Sequence, residues 1–432
     1  MHQVGGDGSA FFELSRRRSL GSQHLEHRWL QGFRRSVWSR FPRPVRQGVL
    51  SALLGDSRAP VAIDAAAAEP VTIVGLLSTS TGIGEGARLA GRALAALGYD
   101  VRSVDVSPLL SGLPPPADRP PPLEKGPGTV ILHFNPDHLP ALITLLGRRR
   151  LRGKRIVGYW AWELARIPER WLPAFAEVDE VWTPTHFVAG AVRPFTRKPV
   201  RVVPHPVALG GIGRRSRERF GFEGRFTVLA IFTFASSFPR KNPVAAVQAF
   251  RRAFGDSPDH LLVLKVSDAD DHAEDMAELA AAIGDAPNIR LEERRLDERD
   301  RLDLIASVDC LLSLHRSEGF GLTMAEAMLA GIAVIATDWS GNLDFMDETS
   351  ALLVPSRMIE AADRRGVYGT GELWADPDVD AAAAHLRSLA ERPTDFRGMV
   401  AAARAMAADR LGPDACRALM ADAIGAPGGT RT

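Results

Sequence analysis

Two glutamates eight residues apart, Glu318 and Glu326, bracket a glycine-rich turn, Gly319-Phe320-Gly321-Leu322. The turn follows an apolar run over 308–314 and opens a helical stretch. Its glycines allow close backbone approach to a ligand. Free amides at the positive end of a helix suit a phosphate. Eight steps of about 100° leave the two carboxylates roughly 80° apart on an ideal helix, so they cannot share one flat face. They fit if Glu318 precedes the helix and Glu326 lies one turn inside it. A carboxylate touching phosphate would repel it, so each is better used as a hydroxyl acceptor. A sugar diphosphate with a ribose offers that arrangement. An ordinary helix start with an acidic cap competes with this reading.

A second helix, expected near 242–254, begins directly after Arg240-Lys241. Cations there oppose the helix dipole, which an anionic ligand would offset. In the first half, Gly82-Ile-Gly84-Glu85-Gly-Ala87 fits the dinucleotide pattern G-x-G-x-x-A, and Asp105 ends the next strand. A nicotinamide-dependent oxidoreductase is therefore a rival. Four residues, 78–81, separate the turn from its strand, which weakens it. His133 and Asn135 end another strand and could face a cleft. Tyr159-Trp-Ala-Trp-Glu163 suits either a sugar face with a hydroxyl acceptor or a core corner. His186 and His205 read as structural. Asp268-Ala-Asp270 reads as a solvated acidic pair, and no metal site is expected. Cys310 and Cys416 are too few for a disulfide framework or a structural zinc site.

These groups need rigid strands behind them. From residue 70, short β-type runs alternate with helical stretches, the pattern of a parallel sheet wrapped by helices. Strands are expected over 71–77, 101–106, 129–134, 154–159, 180–183 and 200–203. After a glycine-rich linker at 210–215 the pattern restarts, with strands over 226–232, 260–267, 288–291, 308–314 and 332–337. Helices are expected near 242–254, 272–283, 298–307, 320–330, 379–390 and 395–424. The fold class is α/β, with two Rossmann-like doubly wound domains facing each other across a cleft. The boundaries are a basic extension over 1–68, a first domain over 69–208 and a second domain over 209–394. A last helix is expected over 395–425.

The 432 residues carry 53 lysines and arginines against 52 acids. The near-zero net charge argues against a dedicated nucleic-acid binder. It hides an uneven start, since residues 1–60 hold ten arginines and four acids. Arg16-Arg17-Arg18 is similar to an export signal, but no apolar stretch follows. Leu30, Phe33 and Val37 recur at helical spacing among arginines, so a short basic amphipathic helix on an anionic membrane surface is one expectation. A cytoplasmic protein, peripheral at the inner face of the plasma membrane, fits that reading.

The segment from Ser317 to Met328 resembles the E-x7-E signature of retaining, two-Rossmann-domain glycosyltransferases of family 4 type (GT-B fold). The similarity extends through Val203-Pro-His-Pro-Val, Phe234 to Pro243, Gly331 to Asp338, Ser340 to Met346 and Trp374-Ala-Asp-Pro-Asp. It implies a hexosyltransferase that moves sugar from a nucleotide-diphosphate sugar to a glycan or lipid-linked acceptor. Retention, no metal and no cofactor are implied with it, as are an acceptor domain over 69–208, a donor domain over 209–394 and a last helix, 395–425, that crosses back onto the acceptor domain. Glu318 would hold hydroxyls of the transferred sugar, Glu326 the ribose, and Gly319, Phe320, Gly321 and Leu322 the distal phosphate. Lys241, with Arg240, would neutralise the leaving diphosphate. Many relatives place a second arginine about six residues before this lysine. Ala235 and Ser236 stand there instead, so either Arg240 substitutes or serine hydroxyls help. Gly82, Gly84, Glu85, His133, Asn135 and Glu163 would line the acceptor side. A catalytically silent sugar-nucleotide-binding homologue or partner subunit is the alternative, against which Lys241, Glu318 and Glu326 stand intact.

Overall fold

The computed structural model describes residues 69–425, apart from 80, 111–122 and 370. The basic extension, with its expected amphipathic helix, and most of the proline-rich 111–128 stretch lie outside the described residues.

The first sheet comprises β1 (Val71–Gly75), β2 (Val101–Asp105), β3 (Thr129–His133), β4 (Arg155–Tyr159), β5 (Glu180–Thr183) and β6 (Val200–Val202). Their order is β2-β1-β3-β4-β5-β6, and every pair is parallel. β1, β3 and β4 are buried along their whole length, which explains their near-continuous apolar runs. The second sheet comprises β7 (Phe226–Thr233), β8 (His260–Ser267), β9 (Ile289–Glu292), β10 (Cys310–Ser313), β11 (Ala333–Thr337) and β12 (Leu352–Val354). It runs β12-β11-β10-β7-β8-β9, again parallel throughout. In each sheet the order reverses beside the first strand, at β1/β3 and at β7/β10. Such reversals open a crevice beyond the carboxyl ends of the strands.

Helices fill the connections: α1 (Gly82–Ala96), α2 (Leu139–Leu146), α3 (His186–Val192), α4 (Pro243–Phe254), α5 (Ala273–Ile283), α6 (Glu298–Ala306), α7 (Leu322–Leu329) and α8 (Val379–Glu391). The tail differs from the single helix expected near 395–424. It is two helices, α9 (Arg397–Leu411) and α10 (Pro413–Ile424), broken at Gly412-Pro413 because proline cannot continue the ladder. α9 packs on the second domain through Ala403, Ala407 and Leu411. α10 packs on the first through Met420, Ala423 and Ile424, against Ile73 and Val157. Three strands were not anticipated. β12 has only three residues, and β13 (Ser356–Glu360) pairs antiparallel with β14 (Leu373–Pro377). β13 is mostly exposed, so burial wrote no apolar pattern into it. Among the described residues no helix is long and apolar enough to cross a membrane.

Candidate active site

The loops after β1, β3, β4, β7 and β10 meet in a cavity of about 750 Å³ between the two sheets. A separate, more open depression lies beside α9, lined by Ile332, Phe396 and Arg404. It contains none of the groups described below.

The loop after β10 is held by its backbone. Glu318 N donates to Ser340 Oγ at 2.8 Å, and Gly341 N donates to Glu318 O at 2.9 Å. Asn342 Nδ2 donates to Thr337 O, and its Oδ1 lies 3.1 Å from His315 Nε2. The Ser340-Gly-Asn segment therefore fixes where Glu318 points. Gly341 must be glycine, because an added Cβ would sit 2.4 Å from Gly319 O. Gly321, at φ +104°, turns the chain into α7. No side chain caps that helix, and Gly321, Leu322 and Thr323 line the cavity. Gly319 was expected to admit a ligand. It also admits the first domain, since a Cβ there would lie 3.0 Å from Trp162 O, and Gly319 O accepts from Thr185 Oγ1 at 2.9 Å.

Glu318 faces two cations. Lys241 Nζ donates to its Oε1, and Arg240 Nη1 lies 3.3 Å from the same oxygen. Burial alone would raise this carboxyl, but Lys241 and Arg240 outweigh it and hold it at about 2. At neutral pH it is a charged acceptor. Lys241 is pulled down by burial, with Glu318 opposing. Arg240 is 2% exposed. It donates to Ser317 O at 2.7 Å and to Ser236 O and Oγ at 2.8 and 2.6 Å. Burial opposes its charge, and Tyr368, Glu318 and Glu163 more than restore it. Arg240 thus stands behind Glu318, and the Ser236 hydroxyl is taken up as its acceptor. Glu326 lies inside α7 and is bound through both oxygens by Arg301. Burial pushes Glu326 up, with Arg301 opposing.

On the first domain, Glu163 approaches Arg240 Nη2 at 3.7 Å, and its carbonyl accepts from Ser317 Oγ. Burial raises its carboxyl, against the pull of Arg240. His133 is 1% exposed, stacked on Tyr159 at 4.1 Å, and neither ring nitrogen has a partner. Asn135 Oδ1 accepts from Ala161 N, so it shapes the loop that carries Glu163. Trp160 and Trp162 belong to the first core, and Trp162 also lines the cavity beside Glu163. Glu85 is bound by Arg88 and Arg92 at 2.6 and 2.9 Å. Gly82 faces Leu322 across the cavity, whereas Gly84 packs against Leu76 O. His205 lines the cavity against Phe320, while His186 is exposed and bonded to Asp344 across the domains. Asp105 accepts from Leu77 N, Ser78 Oγ and Ser107 N, so its oxygens are occupied.

Among the described residues, five cavity-lining cations escaped the sequence reading, Arg88, Lys265, Arg295, Arg301 and Arg365, of which Arg301 and Arg365 bear on the loops described here. Arg301 sits in a charged run, Glu298 to Arg301, that reads as a solvated helix face. Arg365 belongs to a loop with no periodic pattern at all. No local signal marks either.

Two facing Rossmann-like domains with this loop between them define the GT-B glycosyltransferase class. The chain belongs to the family 4 glycosyltransferases in conflict systems, whose pattern matches residues 186–419, more than half of its length. Solved structures of similar fold include a sucrose-phosphate synthase from Thermosynechococcus elongatus. It is 15% identical, with a TM-score of 0.60, over 82% of this chain and 98% of that one. Anabaena HepE, solved with UDP and glucose, is 14% identical with a TM-score of 0.57 over the same shares. A Rickettsia africae glycosyltransferase is 13% identical, also at 0.57. No curated protein matches the chain.

Proposed function

We propose that this glycosyltransferase moves a hexosyl group from a nucleotide-diphosphate sugar to a glycan or lipid-linked acceptor. The observation that carries the reading is the Glu318–Lys241 pair beside the uncapped start of α7, with Glu326–Arg301 farther along the same helix. A similar fold binds UDP and glucose in Anabaena HepE, which supports a nucleotide-sugar donor.

In this reading the ribose hydroxyls meet Glu326, the diphosphate meets the start of α7 and Lys241, and the sugar hydroxyls meet Glu318. Donor binding draws Lys241 from Glu318 toward the phosphate, which leaves the carboxylate free for the sugar. The anomeric carbon–oxygen bond breaks with its electron pair on the diphosphate, where Lys241 and the helix amides stabilise the charge. The acceptor oxygen bonds to the anomeric carbon from the same face, and its proton passes to the departing phosphate oxygen. Fixed cations then do what a divalent metal does elsewhere, so transfer persists in EDTA. Glu163 and His133 stand on the acceptor side.

An oxidoreductase would need Asp105 for a ribose, and Asp105 is already saturated. A thermal-shift screen over UDP-, GDP-, ADP- and dTDP-sugars tests the donor. At least one should raise Tm by several degrees, followed by release of the free nucleoside diphosphate in the presence of acceptor. No shift with any of them removes the donor reading. The extension over 1–60 keeps the enzyme near lipid-linked acceptor, peripheral to the inner face of the plasma membrane. Equal flotation on anionic liposomes with and without it would refute that role.

A further inference from the structure

The charges around Glu318 are already spent on one another. Arg240 and Lys241 face the two carboxylates Glu163 and Glu318. Arg240 is moreover buried behind Glu318 and ion-paired with it, whereas Arg365 is exposed. A diphosphate that leaves with two to three negative charges needs a further cation in this cavity, by the same electrostatics that makes Lys241 effective.

Arg88 and Arg301 also line the cavity but are paired with Glu85 and Glu326, whereas a cation without a carboxylate partner among the described residues lies on the loop between β13 and β14. Arg365 lines the cavity. Its guanidinium donates to Phe234 O at 2.9 Å and to Ala235 O at 3.2 Å, and it touches the His272 ring. No carboxylate reaches it among the described residues. Phe234 and Ala235 lie directly before Ser236, in the loop that leads to Lys241. The guanidinium thus reaches that loop from another part of the chain.

The loop that brings it is anchored on both domains. Arg364 binds Asp275 at 2.7 Å, and Ser237 Oγ donates to Asp363 at 3.3 Å. Arg170 of the first domain donates to Val367 O at 3.2 Å, and Tyr368 packs against Trp162. Arg365 is held over the cavity between these anchors.

We infer that Arg365 is the second cation of the donor site and binds the diphosphate opposite Lys241. The inference rests on the donor reading above. A planar guanidinium offers two parallel donors to phosphate oxygens, a geometry lysine lacks.

Titration calorimetry of the full chain with UDP, GDP, ADP and dTDP, and with the matching nucleosides, tests it. For the diphosphate that binds tightest, Arg365→Gln should weaken binding at least tenfold and the nucleoside less than twofold. Arg365→Lys should keep the larger part of the diphosphate-over-nucleoside preference. If Arg365→Gln melts well below the parent, the lysine variant decides by the same preference. Unchanged diphosphate binding in Arg365→Gln, or equal losses for diphosphate and nucleoside, overturns the inference and leaves Arg365 a loop anchor. The absence of diphosphate binding by the unaltered protein overturns the donor reading itself.

Discussion

Glu318 is charged because Lys241 and Arg240 outweigh the cost of its burial. Lys241→Ala removes the nearer cation and leaves Arg240, which is tied to carbonyls. By comparison with the loss of one preorganised donor elsewhere, the rate of transfer should fall by roughly 100-fold or more. Circular dichroism should stay unchanged, and retention of full activity would contradict the site. The buried histidines make a separate claim. His205 is held down at about 3 by burial, and His133 well below its usual value by burial and then by His205. Between about pH 6.5 and 3 the unfolded chain binds a proton that the folded His205 ring refuses, and His133 acts in the same direction. Stability is therefore complete above pH 6.5 and falls as the pH drops, by about 1.4 kcal/mol per pH unit for His205. Urea titrations at pH 7 and pH 5 should show this loss, and His205→Gln should reduce it by about 2 kcal/mol.

At the scale of elements, the loop after β10 is precise because a second loop holds it. Ser340 Oγ accepts from Glu318 N and Gly341 N donates to Glu318 O, with Ser340 held at φ +82°. Gly341→Ala would drive a methyl into the Gly319 carbonyl, and backbone cannot yield as a side chain can. Displacing the carboxylate by about 1 Å should cost on the order of 100-fold in kcat. The nucleotide Kd should change much less, because Glu326 sits inside α7. Equal losses in kcat and nucleotide binding would show that the whole helix had shifted. The same reasoning explains why Gly412-Pro413 matters. The break lets one half of the tail serve each domain, where a continuous helix would overshoot one of them.

For the molecule as a whole, the two domains are joined by polar contacts as well as by chain. Thr185 meets Gly319 O, Ser317 meets the Glu163 carbonyl, and Arg92 bridges Glu85 and Glu298 at 2.9 and 3.1 Å. The tail completes the first domain. Arg155 donates to the carbonyls of Ala423 and Ile424 while paired with Glu180, and Tyr99 donates to Gly425 O. Among the described residues, truncation after Leu411 removes four buried apolar side chains, Cys416, Met420, Ala423 and Ile424, of which Met420 and Ile424 are each worth about 1.5–3 kcal/mol. It also strips acceptors from a buried guanidinium. Tm should fall by at least several degrees, as calorimetry would register. An unchanged Tm would mean that α10 only rests on the surface.

Local patterns determined much of this protein. The near-continuous apolar strands and the glycine turns specified two parallel sheets, because burial on both faces leaves that mark on each strand separately. The placement of Glu318 before a helix and Glu326 within it also followed from spacing, since helical periodicity is a short-range property. The tertiary structure decided what depends on residues far apart in the chain. It put Trp160 in the core, Trp162 between core and cavity, and Arg240 behind Glu318. It brought Arg301 to Glu326 and Arg365 to Ala235, across separations of 25 and 130 residues. An arginine in a charged run or a patternless loop carries no sign of the carboxylate or carbonyl it will meet. Only the folding of distant segments onto one another brings such partners together.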